Sequence, residues 1–322
     1  MAAERQAKVA IVTGPTASGK SALAARLAGE LGGVVINADS MQVYEGLSIL
    51  TARPGPEELA QAPHRLYGVL SAGEACSAGR WREMALAEIE AAREAGRLPV
   101  LCGGTGLYLR ALTEGISEIP EIPARLRAAA RALHRELGGE AFHARLAERD
   151  PASAGRLHPN DSQRLIRAWE VLEATGRPLP DWQGQAEAKA APPYDFRRVV
   201  VLPPRDGLYA SCDARFDAML KAGALEEVRA LMERGLDPAL PAMKALAVPE
   251  LIRHLRGELN LAAAGEAART ATRRYAKRQI TWLRGEEARQ KIQTMTVNEK
   301  FSESNAEKIF PKIREFVLTP SR

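Results

Sequence analysis

The stretch GPTASGKS at residues 14–21 constrains the fold more than any other part of this sequence. It fits the pattern G-x-x-x-x-G-K-[ST] at every position, follows the apolar run VAIVT and precedes the helical pattern SALAARLAGEL. Gly14 and Gly19 allow the backbone to bend so that its amide protons point inward, Lys20 supplies a positive charge, and the Ser21 hydroxyl can bind Mg²⁺. The remaining loop residues are Pro15, Thr16, Ala17 and Ser18. We therefore predict a diphosphate-binding loop, with an ordinary strand-to-helix turn as the alternative.

Four apolar segments predict buried strands. They are VAIVT at 9–13, VVINA at 34–38, LPVLCG at 98–103 and RRVVVL at 197–202. The first three alternate with helical patterns, which favours a parallel sheet covered by helices. Ligands of such sheets bind at the carboxyl ends of the strands. The segments that follow the strands are therefore expected to form the site, namely GPTASGKS, DSMQVY, GGTGLY and PPRDGLY.

The character of the chain changes between about 116 and 195, where strand patterns are replaced by alanine, leucine, arginine and glutamate at helical spacing. We therefore predict an α/β fold, a P-loop-type parallel sheet covered by helices, with an all-helical insertion domain. The expected ranges are 1–115 for the first part of the core, 116–198 for the insertion, and 199–322 for the completion of the core. The stretch GQAEAKAAPPYD marks the end of the insertion, and the weakly patterned last thirty or so residues predict a peripheral helix.

Composition narrows the class of protein only slightly. The formal charge of +5 suits a polyanionic partner without requiring one. The cysteines, Cys76, Cys102 and Cys212, are scattered and odd in number, which supports neither a disulfide framework nor a zinc site. The N-terminus MAAERQAK lacks the apolar segment of a signal peptide and no run reaches transmembrane length, so we predict a cytoplasmic protein.

Polar residues after the second and third strands are candidates for chemistry. Asp39 is open to three interpretations: a Mg²⁺ ligand as in P-loop hydrolases, a general base for a substrate beyond the phosphates, or a structural cap. Its neighbours Ser40, Gln42 and Tyr44 favour contact with a planar polar substrate such as a nucleobase. In GGTG, the glycines let the backbone approach a ligand while the Thr105 hydroxyl points inward, and a tight turn is an equally good explanation.

A basic helix is predicted at TRRYAKRQITWLR. Six cations and no acidic residue occur between 269 and 284, and Arg273 and Lys277 share one side of the helical projection. A solvated charged face is the usual explanation of such a pattern, but the absence of acidic residues from the stretch favours phosphate contacts.

A second candidate for nucleic-acid contact is HPNDSQRLIRAW at 158–169. Asp161 is a plausible N-cap of the helix that follows. Gln163, Arg164 and Arg167 would lie on its first two turns, and such side chains make bidentate contacts with bases and phosphates.

Together these segments resemble tRNA dimethylallyltransferases, enzymes that place an isopentenyl group on an anticodon-loop adenosine. The resemblance runs from the phosphate loop to about residue 285 and rests on GPTASGKSALA, NADSMQVYEGL, TARP, PHRLYG, GGTGLYLRAL, HPNDSQRLIRAWEVLEATGRPL, ARFDAML, LPAMKAL and TRRYAKRQITWLR. It implies transfer of a dimethylallyl group from dimethylallyl diphosphate to N6 of adenosine 37 of tRNA, with release of diphosphate. It further implies Mg²⁺ as the cofactor and a monomer that acts without a membrane.

By matching position, the resemblance implies a role for each site residue. Asp39 would be the general base that takes a proton from adenine N6, and Thr105 would orient the reacting centre. Lys20, Ser21 with Mg²⁺, and Arg215 would neutralise the leaving diphosphate. The implied tRNA-binding residues are Asp39, Ser40, Met41, Gln42, Thr105, Arg127, Gln163, Arg164, Leu165, Ile166, Arg167, Arg273 and Lys277.

Three other activities would use some of the same parts. An adenylate isopentenyltransferase would apply the same loop and base to a free nucleotide, but a mononucleotide needs neither the long helical insertion nor the basic helix. A P-loop kinase would need a γ-phosphate acceptor site and an arginine arrangement that we do not identify in the sequence. A tRNA-binding module without catalysis would not need GPTASGKS, Asp39 and Thr105 together.

The sequence departs from the pattern of this family at two positions. Leu50 stands where a glycine often precedes TARP, and Ala247 lies where the family usually has a glycine-containing stretch. An alanine at such a position is expected to alter the local turn.

Overall fold

The computed structural model describes residues 7–117, 119–184, 192–287 and 292–319. Its sheet has six parallel strands in the order β3-β2-β4-β1-β5-β6. The strands are β1 Ala7–Thr13, β2 Val34–Asn37, β3 His64–Arg65, β4 Pro99–Gly103, β5 Tyr194–Val201 and β6 Gln293–Val297. The predicted parallel sheet is confirmed. The strands β1, β2, β4 and β5 are the four that the apolar runs predicted, whereas β3 and β6 were not predicted.

Thirteen α-helices lie in the described ranges, and loops join them to one another and to the strands. They are α1 Lys20–Glu30, α2 Pro56–Gln61, α3 Ala78–Glu94, α4 Gly106–Thr113, α5 Ala124–Arg149, α6 Pro151–Ala154, α7 Ser162–Thr175, α8 Leu179–Gly184, α9 Arg205–Lys221, α10 Ala224–Glu233, α11 Val248–Leu255, α12 Leu261–Glu287 and α13 Glu303–Leu318, with a 3-10 turn at Ala242–Lys244. Within the described ranges, no helix combines the length and apolarity needed to cross a membrane.

The sheet is buried on both faces because successive residues of its central strands enter different cores. In β1, Val9 and Ile11 join one apolar cluster, while Ala10 and Val12 join the other. A strand buried on both faces has a continuous apolar run rather than an alternating one. The central strands could therefore be predicted from the sequence.

The strand β6 was not predicted, because its sequence QTMTV contains no continuous apolar run. In the structure only Val297 of this strand is buried. The strand is instead stabilised by its parallel pairing with β5, which the sequence pattern does not indicate.

The predicted C-terminal helix is present as α13, but the expectation that it is peripheral is wrong. In α13, Ile309, Phe310, Ile313 and Val317 are buried, and they belong to the same apolar cluster as Val12 of the central strand. They recur at three- and four-residue spacing, so one face of the helix is apolar. The C-terminal residues therefore complete the core of the sheet.

The chain divides into two compact units, Met1–Thr113 with Pro193–Arg322, and Glu114–Pro192. From the sequence we assigned 116–198 to the insertion, whereas β5 begins at Tyr194 and lies in the first unit. The stretch GQAEAKAAPPYD falls mostly outside the described residues.

The helical unit has a core of its own. Phe142 of α5 packs with Leu165 and Trp169 of α7, and all three are buried. The predicted N-cap is confirmed, since Asp161 Oδ1 accepts a hydrogen bond from Arg164 N–H at 3.4 Å.

One of the two departures from the family pattern is visible in the backbone. Ala247, the N-cap of α11, has φ of 69°, in the left-handed region that glycine occupies readily. The turn expected of a glycine is therefore present, and alanine adopts it at a cost of about 1 kcal/mol. Leu50 is buried and its N–H donates to Glu227 Oε2 at 2.9 Å.

Candidate active site

The predicted phosphate-binding loop connects β1 to α1 and ends at Gly19, whose φ is 90°. Helix α1 begins at Lys20, so the first N–H groups of the helix and its positive dipole end face the loop. A Cβ on Gly19 would lie 2.2 Å from the carbonyl oxygen of Phe301, so only glycine fits. This geometry favours an anion held by backbone amides.

Two cations are held at this loop. The Lys20 ammonium donates to the Pro15 carbonyl at 3.3 Å, and the Arg215 guanidinium donates to the Thr16 hydroxyl. Burial lowers the pKa of Lys20 from its ordinary value, an effect that Cys102 and Asp39 oppose. Burial likewise lowers the pKa of Arg215, which Cys212 and Asp39 oppose. Asp39 therefore acts electrostatically on both cations, although it follows a different strand.

Asp39 is fixed by a short network after β2. Its N–H donates to Asn37 Oδ1 at 2.8 Å, and Asn37 Nδ2 donates to the Asp39 carbonyl at 3.0 Å. Asp39 Oδ1 accepts from Met41 N–H at 2.9 Å, as in an Asx-turn. Among the described residues, Oδ2 accepts no hydrogen bond. One oxygen thus has the structural role that we considered, and the other is available for chemistry.

Thr105 follows β4 and contacts the turn that contains Asp39. Its Oγ1 accepts from Ser40 N–H at 2.9 Å and donates to Ser40 Oγ at 3.2 Å. The Thr105 N–H donates to the Ala38 carbonyl at 3.3 Å. The structure therefore brings Thr105 beside the Asp39 turn, as expected for the ends of two adjacent strands.

The close approach of these two strand ends requires Gly103. A Cβ there would lie 2.2 Å from the carbonyl carbon and oxygen of Ala38 and 2.7 Å from Asp39 N. The glycine therefore accommodates the protein's own backbone, whereas we expected the GGTG glycines to accommodate a ligand.

We expect Gly103→Ala to displace Asp39, because the added methyl group would overlap backbone that cannot move independently of the turn. The variant should lose about 1–3 kcal/mol of stability and about 10²-fold in the rate of the dimethylallyl transfer that the sequence resemblance implies. Urea unfolding and single-turnover kinetics measure the two effects. Gly285→Ala is the control, since a Cβ there meets nothing within 4 Å. A wild-type rate in Gly103→Ala would contradict the proposed positioning.

Gln279 of α12 is a site residue that we did not identify from the sequence. It is buried, its Oε1 accepts from Thr16 N–H at 2.8 Å, and its Nε2 donates to the Gly104 carbonyl at 3.2 Å. One side chain thus ties the phosphate loop to the GGTG loop. Trp282, one turn further on, lies against Gly106, where a Cβ would be 2.2 Å from its ring. The sequence feature that could have indicated Gln279 is its position as a polar residue on the buried face of a basic helix.

The phosphate loop opens into a cleft of about 700 Å³. Besides Lys20 and Arg215, it is lined by Arg53 of the TARP block and by Lys300. Burial lowers the pKa of Arg53, and its guanidinium donates to the Tyr44 carbonyl. The cleft therefore contains four cations, two of which were not assigned from the sequence.

Two of the neighbours that favoured contact with a nucleobase already form hydrogen bonds to the protein's own backbone. Tyr44 is buried, and its hydroxyl accepts from Cys76 N–H at 3.0 Å. Gln42 Nε2 donates to the carbonyls of Thr51 and Ala52, both at 2.8 Å. Tyr44 belongs to the core and Gln42 holds the TARP turn in place. Ser40 and Met41 are half-buried.

The stretch 269–284 has no acidic residue of its own, but its arginines pair with acidic residues outside it. Arg273 pairs with Asp213 at 2.7 Å and with Glu266 at 2.9 Å, and Arg269 pairs with Asp217 and Glu266. Two of these carboxylates come from α9, which sequence spacing within one helix does not reveal. Lys277 is exposed, and no ion pair within the described residues engages it.

In the helical unit, the predicted tRNA contacts differ in exposure. Arg127, Gln163 and Arg164 are exposed, and Arg167 is half-buried beside Glu170 at 3.5 Å. The Leu165 side chain is fully buried, and Ile166 packs against the same core. The sequence block therefore combines exposed polar side chains with residues that hold the unit together; its members are Gln163, Arg164, Leu165, Ile166 and Arg167.

The oxygen ligands at the cleft suit a metal shared with a substrate. Over the described part of the chain, no group of three or more His, Cys, Asp or Glu side chains forms a metal site. Mg²⁺ in phosphate sites needs only one or two protein oxygens, with phosphate oxygens and waters completing its shell. Ser21 lines the cleft and offers such an oxygen.

Comparison with known proteins is consistent with this geometry. The family model described as IPP transferase matches residues 42–286. A tRNA dimethylallyltransferase of Rhodospirillum centenum is 62% identical over 276 residues, covering 86% of this chain and 88% of its own. One of Paramagnetospirillum magneticum is 55% identical over 309 residues, covering 96% of each chain.

Two solved structures are similar over most of the chain. The full-length tRNA isopentenylpyrophosphate transferase of Bacillus halodurans has 31% identity and a TM-score of 0.66, with 96% of each chain covered. A eukaryotic dimethylallyltransferase acting on tRNA has 25% identity and a TM-score of 0.79, with 97% of this chain and 79% of that chain covered.

The parallel sheet, the glycine-rich loop between β1 and α1 and these matches define the class, a prenyl-transferring enzyme with a P-loop-type α/β fold. Within that class, the chain belongs to the IPP transferase family. The resemblance inferred from the sequence blocks is confirmed.

Proposed function

We propose that the enzyme transfers a dimethylallyl group from dimethylallyl diphosphate to N6 of adenosine 37 in the anticodon loop of tRNA and releases diphosphate. The observation that carries this proposal is that the loop after β1, which holds Lys20 and Arg215, and the turn after β2, which holds Asp39, lie at the carboxyl edge of one parallel sheet. Cations suited to a diphosphate thus lie near a carboxylate suited to a proton. The relatives named above act on tRNA according to their names, which supports the acceptor.

Departure of the diphosphate is the step that the loop would assist. Breaking the bond between the allylic carbon and oxygen leaves additional negative charge on the diphosphate. The loop amides, Lys20 and Arg215 are in place before the charge develops, so they stabilise it without reorganisation. Ser21 would hold Mg²⁺ against the same oxygens, where the ion would further neutralise the leaving group.

Attack by adenine N6 requires removal of a proton, because the lone pair of this amine is delocalised into the ring. Asp39 Oδ2 would accept that proton, while Oδ1 keeps its bond to Met41 N–H. Thr105 and Ser40 hold the turn in position through their mutual hydrogen bonds. The target base must leave its stack to enter this site.

For tRNA binding we propose the exposed polar residues of the helical unit and, separately, Lys277 of α12 in the other unit. Arg127, Gln163 and Arg164 are exposed and suited to phosphate and base contacts. We further propose that the enzyme acts in the cytoplasm, where it would meet tRNA. We also propose that it acts as a monomer.

The direct test is incubation of the enzyme with labelled dimethylallyl diphosphate, Mg²⁺ and bulk tRNA, followed by nucleoside analysis. We expect label on adenosine of the anticodon loop. AMP replaces tRNA in a parallel reaction, and ATP turnover is measured alongside. Label on AMP but not tRNA would identify an adenylate isopentenyltransferase, and ATP hydrolysis or phosphoryl transfer without label would identify a kinase.

Salt dependence separates Lys277 from Arg273. The affinity for tRNA should fall as salt rises, and Lys277→Ala should make the slope of log affinity against log salt less steep by about 0.7–0.9, the value for one phosphate contact. Arg273→Ala should change it less, because Arg273 must give up Asp213 and Glu266 to reach a phosphate. Filter binding of tRNA between low and moderate salt measures both slopes. An unchanged slope in Lys277→Ala would place the RNA elsewhere.

A further inference from the structure

The segment between β6 and α13 reaches the phosphate-binding loop. Because β6 runs parallel to β5 and both belong to the sheet of β1, its carboxyl end lies at the same edge as the loop. Phe301 N–H donates to the Ser18 carbonyl at 3.2 Å, and Phe301 O is the atom that excludes a side chain at Gly19. The C-terminal part of the chain therefore forms one wall of the loop.

Lys300, the residue before Phe301, lines the phosphate cleft with its side chain. Its ammonium donates to Ser211 Oγ at 3.2 Å, and no carboxylate pairs with it in the ranges that the structure describes. The adjacent acidic residue, Glu299, instead pairs with Lys308 at 3.6 Å and accepts from Asn305 at 3.2 Å. The positive charge of Lys300 is thus left for an anion in the cleft.

The backbone of Lys300 is held in place by the start of α13. Asn305 Nδ2 donates to the Lys300 carbonyl at 2.8 Å, and Asn305 Oδ1 accepts from Ser302 N–H at 3.0 Å. The bond to Ser302 belongs to the capping box of the helix, whose apolar face is buried in the core, and the bond to the Lys300 carbonyl comes from the same Asn305 side chain. The position of Lys300 therefore depends on a packed element.

Lys20 and Lys300 occupy different depths of the cleft. Lys20 is bound to a carbonyl of the loop itself and is desolvated by burial, whereas Lys300 is exposed at the surface. The loop amides and Lys20 provide for one phosphate group, and a second phosphate directed outward would meet Lys300.

We propose that Lys300 binds the outer phosphate of the diphosphate and makes the cleft selective for diphosphate over monophosphate. This inference rests on the proposed function, in which the loop holds the diphosphate of the donor. The C-terminal segment, to which we assigned no role from the sequence, is on this view part of the donor site.

The test compares the affinity of the enzyme for inorganic diphosphate and inorganic phosphate, each with Mg²⁺, by calorimetry. Lys300→Ala should raise the Kd for diphosphate about 5- to 30-fold, less than the loss of a buried charge-assisted contact, because Lys300 is exposed to solvent. The Kd for phosphate should change less than about 2-fold, within the ordinary effect of a surface substitution. Lys300→Arg should restore most of the affinity. Lys308→Ala is the matched control, since Lys308 is a paired cation of the same segment.

Three results would overturn the inference. An unchanged Kd for diphosphate in Lys300→Ala would refute the proposed contact. An equal rise in the Kd values for phosphate and diphosphate would refute the proposed selectivity. Weaker tRNA binding with a lower salt slope and an unchanged diphosphate Kd would assign Lys300 to the RNA backbone instead. If the wild-type enzyme did not bind diphosphate at all, the proposed donor site itself would be refuted. The wild-type measurement therefore separates failure of the proposed function from failure of the role of Lys300.

Discussion

Replacing Asp39 by Asn is expected to lower the single-turnover rate of dimethylallyl transfer by about 10²–10⁴-fold, the usual contribution of a positioned base. The amide oxygen of the variant can still accept from Met41 N–H, so the turn and the binding of tRNA should be nearly unchanged. Rapid-quench kinetics with saturating enzyme measures the rate, and filter binding measures the affinity for tRNA.

The control for this substitution is Asp237→Asn, because Asp237 Oδ1 makes the same kind of turn, accepting from Ala239 N–H at 2.8 Å on an exposed loop. It should leave the rate unchanged. If Asp39 were instead a metal ligand, raised Mg²⁺ would restore much of the rate of Asp39→Asn. Such rescue would refute the assignment of a base.

Replacing Lys20 by Ala should reduce kcat/KM for dimethylallyl diphosphate by about 10- to 150-fold, which corresponds to about 1.5–3 kcal/mol for a hydrogen bond to a charged group. Arg215→Ala should have an effect in the same range, since its guanidinium is held at the loop by Thr16. Steady-state kinetics with varied donor measures both. Lys221→Ala, an exposed cation at the end of the same helix as Arg215, is the control. A wild-type kcat/KM in either variant would refute the role of that residue.

The same lysine predicts a dependence of donor binding on pH. Burial lowers the pKa of Lys20, so its ammonium loses its proton at a lower pH than the ordinary value of 10.5. Donor affinity requires the charged form and should therefore fall as pH rises through this lowered pKa. Asp39 raises the pKa of Lys20, so in Asp39→Asn the fall should begin at a lower pH still. Diphosphate titrations at several pH values test both statements.

Some of the fold was predictable because its determinants are local. The strands β1, β2, β4 and β5 are buried on both faces and so have continuous apolar runs. By contrast, β6 has a polar sequence and depends on β5 for its existence. The apolar stripe of α13 was present in the sequence, but its burial in the main core depends on that same unpredicted strand.

The candidate site divides in the same way. By itself the sequence determined the phosphate loop, the placement of Asp39 and Thr105 at strand ends, and the family, because each depends on residue types at fixed spacing. The tertiary structure alone decided that Gln279 ties two loops together, that Arg273 is paired with acids of another helix, and that Lys300 lines the cleft. These contacts join residues 60 to 263 positions apart. Hydrogen bonds and ion pairs depend on distance in space, and only the packing of the folded chain sets that distance.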